Sequence, residues 1–302
     1  MIAQPTSNDQ TSEQGFVIVA VLWILVALAV LATVFGVYLA NTARALSPND
    51  AALEAEALVS ASVELAAYQL RLMGEEARPP RGTFHTQLNG ADLSVSFVTE
   101  AARIDLNAAP KELIRNFLMV LGAADEVASQ AADRIIAWRT KPTDTSGSED
   151  ALYRAAGRSY SPRQAPFAHI NELGLVLNLP PALVERALPF VTVFSGASGV
   201  DVLNAEPEVI AALPGITPLT LKQLLNDRAS PGNDTAAILS ALGPGKASMT
   251  AKTSAYRLMI RIRFPNGRQA RSEIVISLRG EEDPYHVLSW QDGVQARAGE
   301  RG

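Results

Sequence analysis

The chain has 302 residues, a net charge of −5, 48% apolar residues and no cysteine. That length leaves room for about two domains beyond any membrane anchor. Without cysteine there can be no disulfide, thiol nucleophile or cysteine-based metal site, and the acidic balance argues against a chain built mainly to bind nucleic acid.

A polar leader, Met1 to Gln14, meets Gly15, and from Phe16 to Ala40 the chain carries neither charge nor proline. As a helix of about 25 residues the run reaches about 37 Å, enough for a hydrocarbon core of about 30 Å with some tilt. A lone segment in lipid must satisfy its backbone internally, so it is helical. A removed signal peptide has an apolar region of only about 7–15 residues. This run is longer, and Ala40-Asn41-Thr42-Ala43 is a poor cleavage site, so the run reads as a retained anchor. The leader's only charges are Asp9 and Glu13, and the first basic residue beyond the run is Arg44. Lys and Arg therefore give no orientation.

The helical signal continues until Ser47-Pro48-Asn49-Asp50, where Pro48 either kinks the helix or stands at the first position of a new one. From Ala51 to Met73 apolar residues recur at helical spacing (Leu53, Ala57, Leu58, Ala61, Leu65, Tyr68, Leu72). Gly74 and Arg78-Pro79-Pro80-Arg81-Gly82 end that helix. A hairpin follows: Thr83–Leu88, the turn Asn89-Gly90, then Ala91–Glu100. From Asp105 to about Lys246 the pattern turns helical, with helices expected over Pro110–Leu121, Ala124–Arg139, His169–Leu177, Pro181–Leu188, Pro207–Leu213, Pro218–Asp227 and Thr235–Leu242. Asp105-Leu106-Asn107-Ala108-Ala109-Pro110 and Asp201-Val202-Leu203-Asn204-Ala205-Glu206-Pro207 repeat one another. In each, the asparagine is expected to cap a helix with proline in its first turn, giving two related helical hairpins. After Ala251 strands return. Tyr256, Leu258, Ile260, Ile262 and Phe264 face one way, and Arg257, Met259, Arg261 and Arg263 the other. Pro265-Asn266-Gly267 turns the chain into Arg271–Arg279, Tyr285–Trp290 forms a last strand, and Gln291–Gly302 reads as a polar tail.

The abrupt step from Gly15 to Phe16 resembles a type IV prepilin leader. Pilin-like helices carry a glutamate at the fifth mature position; here that position is Ala20. Its absence in a pilin-like start marks the K-type minor pseudopilins of the type II (general) secretion pathway, and the chain is identified as resembling that family. Further stretches resemble it in order: Arg103 to Pro110, Ala137-Trp138-Arg139, Ala165 to Leu173, and Pro189-Phe190-Val191-Thr192-Val193. The resemblance implies an α+β fold, with a pilin-like helix on a small antiparallel sheet and a large all-α domain inserted into that sheet. The expected parts are a leader (1–15), a transmembrane helix (16–40), a pilin-like first part (41–104), an inserted helical domain (105–250), closing strands (251–290) and a flexible tail (291–302). It further implies cleavage between Gly15 and Phe16 by the prepilin peptidase, N-methylation of Phe16, and a place at the tip of the pseudopilus. The implied partners are the I- and J-type minor pseudopilins, other pseudopilins and exported proteins. The implied location is the bacterial inner membrane, with the bulk of the chain in the periplasm.

An ionisable group in the membrane costs about 2.5–3.5 kcal/mol unless paired. In a filament its partner is the terminal amine of the subunit above, so an alanine suits a subunit with nothing above it. Catalysis finds little support: His85, His169 and His286 are scattered, and neither a nucleophile elbow nor a phosphate-cradling loop is present. Leu213-Pro214-Gly215-Ile216 is similar to the turn of helix-hairpin-helix modules, which makes a membrane-anchored DNA-binding protein the alternative. Thr217 and Pro218 follow instead of a second glycine, and Glu206, Glu208 and Asp227 surround it, so no nucleic acid is expected. The loop Thr140–Ser148 with Glu149 and Asp150 is open to two readings, a solvated acidic loop or a calcium site using Asp144, Glu149 and Asp150. The family resemblance implies calcium.

Overall fold

The computed structural model describes residues 10–141, 149–229, 251–279 and 283–293; for 10–17, 39–50, 76 and 229 it describes the backbone alone. The chain divides into two compact units, Met1–Leu58 and Val59–Gly302.

Helix α1 runs from Gln10 to Leu72. It continues through Pro48, so no new helix starts there, and it begins before Gly15 rather than at Phe16. A proline removes only one intrahelical hydrogen bond and kinks or ends a helix as its surroundings dictate. In the first unit, Ile18–Tyr38 is long and apolar enough to cross a membrane, and none of it is buried. Trp23, Leu31 and Tyr38 stand out most, at 72%, 64% and 65% exposure.

In the second unit, the last turns of α1 bury Val59, Val63, Ala66, Ala67 and Leu70, the spacing of a single helix face. After α2 (Gly74–Ala77) come β1 (Arg81–Leu88) and β2 (Ala91–Thr99). Asn89 and Gly90, both at positive φ (51° and 76°), make the two-residue turn expected of Asn-Gly. Strands β5 (Ala255–Arg263), β6 (Gln269–Ser277) and β7 (His286–Asp292) complete an antiparallel sheet in the order β1-β2-β5-β6-β7. The closing strands thus pair directly with the first hairpin, Val95 opposite Ile260 and Leu93 opposite Ile262. Ala91, Leu93, Val95, Leu258, Ile260, Ile262, Ile274 and Ile276 form the buried face, as their alternation requires. Tyr285 Oη donates to Glu64 Oε1 at 2.9 Å, and Arg71 Nη1 donates to the Pro284 carbonyl at 3.0 Å, tying α1 to the approach to β7. Gln291 and Asp292 belong to β7 rather than to a tail, and Ser272 Oγ donates to Asp292 Oδ1 at 2.7 Å.

Between β2 and β5 lie β3 (Ile104–Asp105), α3 (Lys111–Val120), α4 (Asp125–Arg139), α5 (Glu149–Ala155), α6 (Pro181–Ala187), β4 (Val191–Thr192), α7 (Pro207–Ala211) and α8 (Pro218–Ala229). Strands β3 and β4 pair in parallel. The elements share one apolar core, in which Leu113, Ile114 and Phe117 of α3 meet Ala128, Ala132 and Ile135 of α4. Ile170–Leu175, expected as α-helix, is a 3-10 turn, and α5 was not expected at all. The helix expected over Thr235–Leu242 lies outside the described residues.

Candidate functional site

Gly15 and Phe16 lie within the backbone of α1, and Ala20 is the third residue of the apolar run Ile18–Tyr38. No carboxylate or cation stands in Ile18–Tyr38, so the run presents hydrocarbon alone.

The motif stretches of the helical region converge on one joint. Asp105 Oδ1 accepts the Asn107 N–H at 2.7 Å, and its Oδ2 accepts the Gly196 N–H at 2.7 Å. Asn107 does not cap α3. Its side chain accepts the Phe167 N–H at 2.7 Å and donates to the Phe167 carbonyl at 3.0 Å, while Pro110 holds the cap position without a side-chain bond. Arg139, at the end of α4, reaches back to the carbonyls of Leu106 (2.5 Å) and Ala109 (2.8 Å). Trp138 stacks on Phe167 at 5.9 Å, and its Nε1 donates to Glu172 Oε2 at 3.1 Å.

The second repeat uses the same parts. Asp201 Oδ1 accepts the Leu203 N–H at 3.1 Å, and Arg228, at the end of α8, donates to the carbonyls of Val202 (3.2 Å) and Ala205 (2.8 Å). Asn204 is again no cap; it donates to Asp201 Oδ2 at 2.7 Å. Burial pushes the carboxyls of Asp105 and Asp201 above their usual range although N–H groups point at both. Burial lowers both arginines, and the charge of Asp105 offsets part of that at Arg139.

A buried ion pair joins the helical region to the sheet. Glu100 is fully buried; Arg257 donates to its Oε1 at 2.7 Å and its Oε2 at 3.0 Å, and Thr192 Oγ1 of β4 also donates to Oε2. Arg257 further donates to Glu273. Burial works against the Arg257 charge, but Glu100 and Glu273 outweigh it and the guanidinium is held above its ordinary value. Strand spacing places Arg257 on one face with Arg261 and Arg263, and the structure buries it. The available signal was Glu100, an acid directly after the alternating strand β2.

The acidic loop is described only at its end, with Asp144 outside the described residues. Glu149 Oε1 accepts from Arg134 Nη1 at 2.5 Å, whereas Glu149 Oε2 is shielded and has no hydrogen-bond partner among the described residues. Asp150 Oδ1 accepts from Gln164 Nε2 at 3.2 Å. A shielded, unpartnered carboxylate oxygen fits a hard cation, which takes oxygen ligands. Among the described residues no three acidic or histidine groups converge on one point. The helix-hairpin-helix-like turn lies between α7 and α8, with Gly215 at a φ of 77°; Thr217 Oγ1 accepts the Thr220 N–H at 3.2 Å there. The three histidines stand on β1 (His85), at the cap of the 3-10 turn (His169) and on β7 (His286).

Residues 89–196, which hold the first joint, match the family model described as type II secretion system (T2SS), protein K. The type II secretion system protein K of Pseudomonas aeruginosa is 25% identical over 236 residues, covering 72% of this chain and 69% of the relative. Over these residues the chain is similar to the type II secretion system protein K family. Its fold agrees: a chain of the solved GspK-GspI-GspJ complex from the type 2 secretion system of enterotoxigenic Escherichia coli superposes with a TM-score of 0.58 at 17% identity. That match covers 83% of this chain and 98% of the other. The α+β architecture expected from sequence, with an N-terminal apolar helix, an antiparallel sheet and many helices, is the one observed. Protein K is a component of the type II secretion machinery, and its family stretches are the ones that meet at the Asp105 joint.

Proposed function

We propose that this protein is the minor pseudopilin at the tip of the pseudopilus, where it begins or caps the fibre during export. In this reading the prepilin peptidase cuts between Gly15 and Phe16, Phe16 is methylated, and Ile18–Tyr38 anchors the chain once in the bacterial inner membrane. The rest of the chain then folds in the periplasm. The observation that carries it is the uncharged, exposed apolar run with Ala20 at the fifth mature position, in a chain similar in sequence and fold to protein K. A carboxylate there would need an amine from a subunit above, and a tip subunit has none. The solved relative is named for a complex with GspI and GspJ, which supports the I- and J-type minor pseudopilins as partners. Anchor helices in lipid associate by close packing, so the exposed run is the surface offered to them. Exported proteins are the further contacts this position implies.

N-terminal sequencing of the membrane form tests the processing step: Phe16 at the terminus supports the reading, and a mature chain still starting at Met1 overturns it. We also propose calcium at the 140–150 loop, held by Glu149 Oε2 with Asp144 and Asp150. Chelation should then lower the melting temperature, and Glu149→Gln should abolish that response. An identical melt with and without chelator would remove the ion from the account.

A further inference from the structure

The outer face of the sheet carries a cleft of about 920 Å³ at the end where β5 turns into β6. Its charged lining comes from Asp92, Arg261, Arg263 and Arg271, and His85 stands beside them. Arg261 and Arg271 stand directly opposite one another on neighbouring strands, and Arg263 lies two residues further along β5. Like charges in directly opposed positions destabilise an antiparallel pair. The three guanidiniums are exposed, and among the described residues no carboxylate forms an ion pair with any of them. Asp92 is opposite Arg263, but its Oδ1 accepts from Gln87 Nε2 at 3.1 Å. Between the His85 and Arg261 side of the cleft stands Ser94, a small residue that leaves a groove along β2.

The same face solves its charge problem elsewhere. Toward the start of β5, Arg257 is covered, and there the chain supplies Glu100 and Glu273. At the open end the described residues supply nothing comparable to three guanidiniums. We infer that this cleft binds a carboxylate-rich segment of a partner protein, which supplies the missing anions. Guanidinium forks bind carboxylates in bidentate pairs, and the amides of Gln87 and Gln269 with the Ser94 hydroxyl add hydrogen-bonding groups along the groove. A concave groove floored by a small residue suits an extended acidic segment better than a flat bilayer surface. The inference stands independently of a place at the fibre tip.

The test uses the full chain in detergent and a short fluorescent peptide of alternating glutamate and serine, with a lysine-serine peptide as control. The acidic peptide should bind, and binding should weaken steeply as salt rises to ~0.5 M, where charges are screened within a few ångströms. Combined Arg261→Gln, Arg263→Gln and Arg271→Gln should weaken it by about tenfold or more, as loss of charge-assisted pairs requires. Arg158→Gln, an exposed arginine of the helical region, should leave it unchanged. The melting temperature of the triple variant should hold or rise; if it falls, Arg263→Gln alone is measured, since Arg263 faces no other arginine directly. Equal peptide binding by wild type and variant overturns the inference. So does arginine-dependent capture by phosphatidylglycerol vesicles without peptide binding, which would make the cleft a lipid-headgroup site.

Discussion

One face of β5 carries Arg257, Met259, Arg261 and Arg263 at alternate positions, yet its two ends have opposite fates. At one end Arg257 is buried and held by two carboxylates; at the other, arginines stand exposed and oppose each other across strands. Strand periodicity decides which side of a sheet a residue points to. What lies over that side decides whether the charge must find a partner, because only a desolvated ion carries a large penalty when alone. Here the segment around Glu100 and Thr192 covers one end, and the pairing follows the cover.

The contrast breaks most visibly at Glu100. Glu100→Ala leaves Arg257 buried with only half-exposed Glu273, and should cost about 3–5 kcal/mol in chemical denaturation. A cost under about 1 kcal/mol would mean that the pair is not desolvated. Replacing both members, Glu100→Leu with Arg257→Met, should recover most of that loss, since apolar side chains of similar volume replace buried ion pairs at little cost. A double variant as unstable as Glu100→Ala would show that the pair itself, and not the orphaned charge, sets the energy.

Asp105 sharpens the comparison as a buried carboxylate held mainly by N–H groups rather than by an ion pair. Asp105→Ala leaves the N–H groups of Asn107 and Gly196 without acceptors, at about 1–3 kcal/mol each where no water replaces the oxygen. Asp201→Ala should cost less, because its contacts are confined to its own turn. Burial raises the Asp105 carboxyl in the folded chain, so folding takes up protons there. Stability from this group is therefore greatest below its unfolded pKa and is lost as pH rises through its higher folded pKa. Relative to Asp105→Asn, the wild type should gain stability as pH falls from neutral toward about 4; a gap that widens against the wild type would reverse the assignment.

The smallest effect has the opposite sign. Arg261→Gln removes an arginine opposed to Arg271 and should stabilise the free chain by about 0.2–1 kcal/mol, with the gain fading in salt. A loss of stability would show that Arg261 has a structural partner.

Much of this architecture is readable from local chemistry. Asn89-Gly90 demands positive φ at two successive residues and so announces its hairpin, and proline-led starts mark α6 through α8. The two Asp-led repeats are equally visible, but what they do is not. Asn107 looks like a helix cap because its neighbours are those of a cap; its partners come from Phe167, 60 residues away. Arg257 is indistinguishable by spacing from Arg261, and only the packed chain separates them. Helix α5 is too short for periodicity to show. The metal reading depends on a loop whose Asp144 is not described, so sequence and structure meet there only at Glu149 and Asp150.

The subunit proposed to end a fibre can be located on it. The chain has no cysteine of its own, so Arg158→Cys gives a unique handle for a gold label on assembled pseudopili. The account predicts one label per fibre, at an end, in fibres grown with the labelled chain as the only source of this subunit. Labels spaced along the shaft would contradict it.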